Sequence, residues 1–260
     1  MRMATDAISE YYRRGGERTR LTASGVGRLE FLRTWDVLTR VLPPAPATLL
    51  DVGGATGVYA RPLTAAGYRV HVLDLTPEPG VTAAVGDARA LPVADGAADA
   101  VLLLGPLYHL PERADRVAAW REAARAVAPG GVVVGAVISR FAFLLDGLLK
   151  GFFDDPGFPP LVERALREGR HVNDSSGRGY FTTAYFHRPE EVAAEAEDAG
   201  LTDVQVVAVE CPLWLNDDRL DSLVGDPAAT ETMLEVLRGV EREPSMLGAS
   251  GHLLGVARRP

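Results

Sequence analysis

A glycine-rich turn between a short apolar strand and a helix constrains the fold of this chain more than any other feature. The turn runs from Asp51 to Gly57 and reads Asp-Val-Gly-Gly-Ala-Thr-Gly. Glycines let the backbone bend sharply and pass close to a ligand, and the N-terminus of the following helix offers unpaired N–H groups. The turn therefore predicts a nucleotide-like ligand, with a plain strand–helix connection as the alternative.

Strand-like and helix-like segments alternate around this turn. The apolar patterns predict strands at residues 47–52, 68–74, 81–85, 99–104, 131–138, 204–209 and 251–257. They predict helices at residues 5–14, 25–42, 57–66, 112–127, 189–199 and 226–240. This alternation is typical of an α/β protein with a mostly parallel, doubly wound sheet. Residues 76–80 are too few for a full crossover helix, so we expect that helix to be reduced or missing.

The charge of the chain and its rare residues exclude several classes of protein. The 260 residues carry a net charge of −8 without an extended basic cluster, which argues against nucleic-acid binding. No segment approaches the roughly 20 apolar residues of a membrane helix, and the start of the chain has no secretory pattern. The single cysteine, Cys211, excludes an internal disulfide and a cysteine-based zinc site. We therefore expect a cytoplasmic protein without membrane partners and without a metal.

Residues 139–187 interrupt the alternation of strands and helices. They contain many aromatic residues, together with several prolines and glycines. We interpret this segment as a cap inserted after the fifth strand. The chain is then a single domain, divided into a helical lid at residues 1–44, a core at 45–138, the cap at 139–187 and the second half of the sheet at 188–260.

Two acidic residues end neighbouring strands of the predicted sheet. Asp74 ends the second strand, and Asp87 follows the third in Gly86-Asp87-Ala88. A carboxylate at the first position can accept both hydroxyl groups of a ribose, and one at the second can accept an adenine amine. Either acid alone is often only a helix cap. Both together lie at the carboxyl edge, where open α/β sheets bind ligands.

These motifs together resemble the class I S-adenosylmethionine-dependent methyltransferases. The matching segments are the glycine-rich motif at Asp51–Gly57, the ribose-binding acid Asp74, the adenine segment Gly86–Ala88, the fourth motif at Asp99–His109 and the turn before the fifth strand at Ala128–Gly131. The resemblance implies a Rossmann-like, seven-stranded sheet whose last strand is antiparallel, with the acceptor over residues 104–109. Ala55 departs from the pattern, because the family has a glycine there.

The resemblance implies S-adenosylmethionine as the cofactor, bound along the carboxyl edge of the sheet. Its ammonium is expected to meet Asp51 or nearby backbone carbonyls, its carboxylate Arg20 or Tyr12, and its sulfonium the ring of Tyr108. The expected cofactor-binding residues are Tyr12, Arg20, Asp51, Gly53, Gly54, Ala55, Gly57, Asp74, Leu75, Gly86, Asp87, Ala88, Leu104 and Gly105.

Methyl transfer is a displacement, and in-line placement of the two reacting groups supplies much of the reduction in the barrier. A general base is needed only where the acceptor loses a proton, and the candidates are His109 and His187. Each has a structural alternative: His109 as a fixed imidazole of its loop, and His187 as a helix cap. The expected acceptor-binding residues are Tyr12, Tyr108, His109, Tyr180, Tyr185 and His187.

The leading hypothesis is a bacterial methyltransferase, a monomer or homodimer, that methylates oxygen or nitrogen of a small-molecule acceptor in biosynthesis. A peptide or protein acceptor, a nicotinamide-dependent oxidoreductase and a non-catalytic cofactor-binding protein are the alternatives. The oxidoreductase is disfavoured by Asp87 and by the lack of a Tyr-x-x-x-Lys pair. The only lysine is Lys150, and the residue four before it is Asp146.

Overall fold

The computed structural model describes residues 17–54, 56–77, 82–172 and 180–260. Its helices are α1 (Glu17–Ala23), α2 (Gly25–Val41), α3 (Ala60–Ala65), α4 (Arg113–Ala126), α5 (Ala142–Leu149), α6 (Phe158–Glu168), α7 (Pro189–Asp198), α8 (Asp217–Val224), α9 (Pro227–Val240) and α10 (Pro244–Ala249). Its strands are β1 (Thr48–Val52), β2 (Arg69–Asp74), β3 (Ala83–Val85), β4 (Ala98–Leu103), β5 (Val127–Ser139), β6 (Arg170–His171), β7 (Ala184–His187), β8 (Thr202–Ala208) and β9 (His252–Arg258).

The described chain divides into two compact units. Unit 1 contains the described residues up to Asp36, followed by Ile138–Pro189 and Val207–Leu253. Unit 2 contains Val37–Val137, Glu190–Val206 and Leu254–Pro260. The helix predicted at residues 5–14 lies outside the described residues. None of the helices in the described ranges has both the length and the apolar character needed to cross a membrane.

Unit 2 contains parallel strands in the order β3-β2-β1-β4-β5. In their register, Asp51 of β1 pairs with Val72 of β2 and with Leu102 of β4. Leu102 is fully buried, as expected for a parallel strand that is covered on both faces. Because the strands run in the same direction, β1 ends at Val52 and β2 ends at Asp74 on the same edge of the sheet. The fold therefore forms the carboxyl edge that the sequence predicted.

The Pro129-Gly130-Gly131 segment lies inside β5, so the prediction that it forms a turn before that strand was wrong. Ala98 of β4 pairs with Val127, whereas Ala100 pairs with Val132, and the register shifts between them. The middle glycine of the segment has a φ of +75°, which favours glycine. The glycines therefore permit a bulge within a longer strand, and a propensity-based prediction interprets such a bulge as a turn.

Strand β9 runs antiparallel to β5. Near the start of β5, the Gly130 N–H donates to the carbonyl of Arg259, just after the end of β9, at 2.9 Å. At the other end of β5, the Ser139 N–H donates to the carbonyl of Gly251, just before β9, also at 2.9 Å. The predicted α/β class, with a mostly parallel sheet and an antiparallel last strand, is confirmed. The short strands β6 and β7 bring the described sheet to nine strands.

Unit 1 contains the aromatic-rich segment that interrupts the alternation. Ser139 of β5 pairs in parallel with His187 of β7, and β7 pairs antiparallel with β6. Phe158 of α6 is fully buried, and its ring centroid lies 5.0 Å from that of Phe143 and 5.3 Å from that of Tyr180. Edge-on contacts between rings stabilise such clusters. The short elements of this segment therefore pack around their own aromatic core.

Candidate functional site

The glycine-rich turn in unit 2 depends on its glycines for steric reasons. Gly53 has a φ of +78°, and its N–H donates to the carbonyl of Leu73 at 2.7 Å. A Cβ on Gly53 would lie 2.9 Å from Pro106, and a Cβ on Gly54 would overlap the carboxylate of Asp51. Side chains at either position would therefore displace the turn. Ala55, where the sequence departs from the family pattern, lies outside the described residues.

Gly57 closes the turn and starts the helical side of the motif. Its φ is +67°, and its N–H donates to the carbonyl of Gly54 at 2.6 Å. Its own carbonyl accepts from the Arg61 N–H at 3.0 Å, so the first turn of α3 is joined to the motif. The predicted strand–turn–helix geometry is present at this position.

Asp51 is a buried carboxylate whose charge is not balanced by a described side chain. The residue is 1% exposed, and its Oδ1 has no hydrogen-bond partner among the described residues. Burial, and then the neighbouring charge of Asp74, raises the pKa of Asp51 to about 7. An ionised carboxylate in such a place is costly unless a cation or hydrogen-bond donor reaches it. The buried carboxylate of Asp51 therefore fits a ligand that carries an ammonium group.

Asp74 ends β2 at the same edge and is also buried. Its Oδ1 accepts from the Thr76 N–H at 2.7 Å, and its carbonyl accepts from the Gly86 N–H at 3.0 Å. Leu75, the residue between Asp74 and Thr76, is half exposed. The side chain of Asp74 is therefore fixed by its own turn, as a ribose-binding carboxylate requires, and Leu75 offers an apolar surface next to it.

Asp87 follows β3 and forms an ion pair with Arg89. Its Oδ2 accepts from an Arg89 guanidinium nitrogen at 2.6 Å, and this hydrogen-bonding lowers the pKa of Asp87. Ala88, between the two residues, is buried. The carboxylate is therefore ionised and held in place at the position where the sequence predicts an adenine amine.

The segment after β4 packs directly on the glycine-rich turn. A Cβ on Gly105 would lie 2.9 Å from the carbonyl oxygen of Gly53, so the two backbones touch. A 3₁₀ turn at Leu107–His109 follows, in which the His109 N–H donates to the Pro106 carbonyl at 3.0 Å. The rings of Tyr108 and His109 lie 4.5 Å apart. Unit 2 thus brings His109, Tyr108 and the neighbouring Leu104 to the same edge as the turn.

The other predicted site residues belong to unit 1, apart from Tyr12, which lies outside the described residues. The Arg20 guanidinium pairs with Glu30, so its predicted role in binding a ligand carboxylate stays a prediction. The Tyr180 hydroxyl donates to Asp155 at 2.8 Å. The Tyr185 hydroxyl accepts from Arg140 at 3.2 Å. These contacts give both tyrosines structural partners.

His187 is fully buried in β7 of unit 1. Its ring lies 4.8 Å from that of Tyr185 at a steep angle, and its backbone carbonyl accepts from the Arg140 N–H at 2.7 Å. These contacts place His187 at the end of a strand, just before α7. Its role as a base stays a prediction.

Unit 1 also contains a buried charged cluster that the sequence did not reveal. The cluster comprises Arg20, Glu30, Glu210, Ser250 and His252. The His252 Nδ1 lies 2.6 Å from Glu210 and 3.7 Å from Glu30, and Glu210 also accepts from the Ser250 hydroxyl at 2.9 Å. Its members come from three separate segments of the sequence, so no local pattern signals the cluster.

The charges of this cluster balance without a metal ion, although its two carboxylates and imidazole lie close enough to ligate one. Burial disfavours a charged imidazole, but the carboxylates of Glu30 and Glu210 outweigh it and raise the pKa of His252 to about 9. Arg20 supplies a second positive charge to Glu30. A divalent cation would have to displace the proton of His252 beside a fixed guanidinium, so the cluster is better suited to a structural role.

Comparison with known proteins finds a family model that matches part of the chain and solved structures of similar fold. Residues 50–135 match a family model described as a methyltransferase domain. An S-adenosylmethionine-dependent methyltransferase of Thermotoga maritima, described as a possible histamine N-methyltransferase, is 17% identical, with both chains covered in full and a TM-score of 0.58. A methyltransferase of Mesorhizobium loti is 19% identical over 89% of this chain and 100% of its own, with a TM-score of 0.55.

A third similar structure contains ligands. It is phosphoethanolamine N-methyltransferase 2 of Haemonchus contortus, in complex with phosphomonomethylethanolamine and S-adenosylhomocysteine. This chain is 17% identical to it over 88% of its own length and 52% of that chain, with a TM-score of 0.53. A comparison with the curated proteins gives no match.

The matched residues span β1 to β5, which form the edge that holds Asp51, Asp74 and the glycine-rich turn. Residues 50–135 therefore match a methyltransferase domain, and the chain shares the fold of enzymes that use S-adenosylmethionine. The unbalanced carboxylate of Asp51 and the cradle at Gly54, which a Cβ would fill, fit this cofactor.

Proposed function

We propose that this protein transfers the methyl group of S-adenosylmethionine to an oxygen or nitrogen atom of a small-molecule acceptor. The observation that carries the proposal is the buried carboxylate of Asp51 beside the glycine-rich turn, because it favours a ligand with an ammonium group over one with a phosphate. No lysine or arginine occurs between Asp51 and Tyr59, where a phosphate-binding turn would benefit from one.

Each residue of the edge has a separate task in this proposal. When bound, S-adenosylmethionine supplies an electrophilic methyl group on a sulfonium. Asp51 pairs with the ammonium, Asp74 accepts from the ribose hydroxyls, and Asp87 accepts from the adenine amine. The segment from Leu104 to His109 then orients the acceptor. Proximity and orientation of this kind supply on the order of 7–11 kcal/mol at best, which is a large part of the catalysis.

The proton that a hydroxyl or ammonium acceptor loses has two candidate destinations. His109 lies at the edge of unit 2, and His187 lies in β7 of unit 1. If either is the base, its replacement by alanine lowers turnover and leaves affinity for S-adenosylhomocysteine within a few-fold. His71→Ala is a matched control, because His71 lies exposed in β2. Normal turnover in both variants would show that neither histidine is the base and that the rate depends on the placement of the methyl donor and the acceptor.

A small molecule is the favoured acceptor because of the reactions by which similar proteins are described. The similar proteins from Thermotoga maritima and Haemonchus contortus are described by reactions on small amines. Release of S-adenosylhomocysteine can therefore be assayed with histamine, phosphoethanolamine, a catechol and a basic peptide. Turnover with the peptide alone would favour the alternative of a protein acceptor.

Calorimetry tests the proposal before any acceptor is known. We expect S-adenosylhomocysteine to bind the full chain at one site and NAD(H) not to bind. Binding of NAD(H) alone would replace the proposal by the nicotinamide-dependent oxidoreductase. Binding of S-adenosylhomocysteine without turnover on any acceptor would favour a non-catalytic cofactor-binding protein.

A further inference from the structure

Arg89 forms an unusually complete set of contacts with the carboxylate of Asp87. The Asp87 Oδ1 accepts from the Arg89 backbone N–H at 2.9 Å and from its Nε at 3.0 Å. The Asp87 Oδ2 accepts from a terminal guanidinium nitrogen at 2.6 Å. The backbone supports this arrangement, because the Ala90 N–H donates to the Asp87 carbonyl at 3.0 Å and closes the turn. Three donors therefore converge on one carboxylate.

The guanidinium is held from its other side as well. The second terminal nitrogen of Arg89 donates to Asp115, in the first turn of α4, at 3.1 Å. The side chains of Asp87, Arg89 and Asp115 are 31%, 22% and 35% exposed, so all three remain within reach of a ligand at the surface. Arg89 thus joins the segment after β3 to α4 and cannot rotate without breaking an ion pair.

This arrangement limits what Asp87 can accept from a ligand. A carboxylate has about four acceptor sites, two on each oxygen. Arg89 fills both sites on Oδ1 and one on Oδ2, so a single site on Oδ2 remains. That site can take one N–H, such as that of an exocyclic amine. It repels a carbonyl oxygen, because two acceptors would then face each other.

We infer that Arg89 is a positioning residue that makes Asp87 selective for a 6-aminopurine, with Asp115 as its support. This inference rests on the proposed function, since it assumes that Asp87 meets the base of the cofactor. Arg89 holds Oδ2 in one orientation, and it keeps the carboxylate ionised. Without Arg89, the carboxylate is free to turn, and it discriminates less well between an amine and a carbonyl at the same position of the base.

The test compares S-adenosylhomocysteine with S-inosylhomocysteine, which differs in having a carbonyl in place of the amine. We expect the native chain to prefer the adenine ligand by about tenfold or more in calorimetry. Arg89→Gln should reduce this preference several-fold, and Asp115→Asn should reduce it less. Arg89→Lys should restore only part of it, because a lysine cannot form the paired contact.

Arg113→Ala is the matched control, because Arg113 also forms an ion pair in unit 2 but with the exposed Asp198. Its preference for adenine should equal that of the native chain. Equal weakening of both ligands in Arg89→Gln would show a structural role and overturn the inference, as would an unchanged preference. If Arg89→Gln does not fold, the exposed Asp115→Asn decides by the same criterion. Failure of the native chain to bind S-adenosylhomocysteine would overturn the proposed function and the inference together.

Discussion

Two buried charged groups, one in each unit, differ in how their charge is balanced. In unit 1, Glu210 accepts from Ser250 and from His252, and the carboxylates of Glu210 and Glu30 face positive groups. In unit 2, Asp51 is equally buried, yet its Oδ1 has no partner among the described residues and its pKa is raised to about 7. A cluster whose charges balance stabilises the fold, whereas a buried carboxylate without a counter-charge is suited to bind a cationic ligand. Stability and cofactor affinity should therefore respond to opposite sets of mutations.

The largest effect is expected from Glu210→Ala in the balanced cluster. The change removes the acceptor for three donors and leaves His252 with less compensation. Breaking a buried pair in this way costs about 3–5 kcal/mol, which urea unfolding would measure. Glu168→Ala, at an exposed ion pair with Arg167, is the control and should change stability by less than about 0.5 kcal/mol. A loss below about 1 kcal/mol for Glu210→Ala would contradict the structural role of the cluster.

Asp51→Asn should give the opposite pattern. At pH 8 the native carboxylate of Asp51 is ionised although its surroundings disfavour the charge, as its raised pKa of about 7 shows. The amide removes that cost, so stability should rise by about 1–3 kcal/mol, while affinity for S-adenosylhomocysteine falls by about tenfold or more. Asp95→Asn, at an exposed ion pair with Arg125, is the control for both measurements. If Asp51→Asn lowered stability and kept native affinity, Asp51 would stabilise the fold and would not bind the ligand.

The pH dependence of stability should distinguish the two groups next. Since the folded state raises the pKa of His252 to about 9 from an ordinary 6.5, its contribution is fully present below pH 6.5 and is lost as pH rises through 9. His252→Gln should therefore cost about 2 kcal/mol at pH 6 and much less at pH 9.5. Urea titrations at the two pH values measure this, and an equal loss at both would show that the charge of His252 does not stabilise the cluster.

The contribution of Asp51 to stability has the opposite sign. Its folded pKa, raised to about 7 from 3.8, means that the folded state binds the proton more tightly than the unfolded chain does. Stability therefore falls as pH rises from about 4 to about 7, and the Asp51→Asn variant should lose this slope.

The smallest predicted effect concerns Asp74. Its carboxylate already has a backbone partner in Thr76, so replacement by alanine would remove the proposed contact to the ribose without unbalancing a buried charge pair. Affinity for S-adenosylhomocysteine should fall by about tenfold, as calorimetry would measure. Native affinity in Asp74→Ala would place the ribose elsewhere.

The sequence predicted those parts of the molecule that local patterns encode. The apolar runs gave the strands around Asp51 and Asp74 to within a residue or two, and the Pro43-Pro44 pair correctly ended the helix observed at Gly25–Val41. The strand–turn–helix geometry of the glycine-rich motif could be predicted for the same reason, because its requirements are steric and lie within seven neighbouring residues. The prediction of a turn at Pro129 was wrong, because only the register with β4 shows that this segment is a bulge.

Contacts between distant residues could not be predicted in this way. Glu30, Glu210 and His252 meet only through the fold, and nothing in their local sequences distinguishes them from surface residues. The helices at Ala142–Leu149 and Phe158–Glu168 were missed because the prolines and glycines of this segment suggested an irregular cap, although Phe158, Val162 and Ala165 follow a helical period. Arg89 was overlooked for a simpler reason: an arginine after an acid is common, and its contact with Asp115 is invisible in the sequence.

Proton release on cofactor binding tests the central claim most directly. Calorimetry of S-adenosylhomocysteine binding at pH 6, in buffers with different ionisation enthalpies, counts the protons released. Because the pKa of Asp51 is about 7, its carboxyl is about 90% protonated at pH 6 and must ionise to pair with an ammonium. The account predicts release of nearly one proton per ligand in the native chain and none in Asp51→Asn. Equal release by both proteins would contradict it.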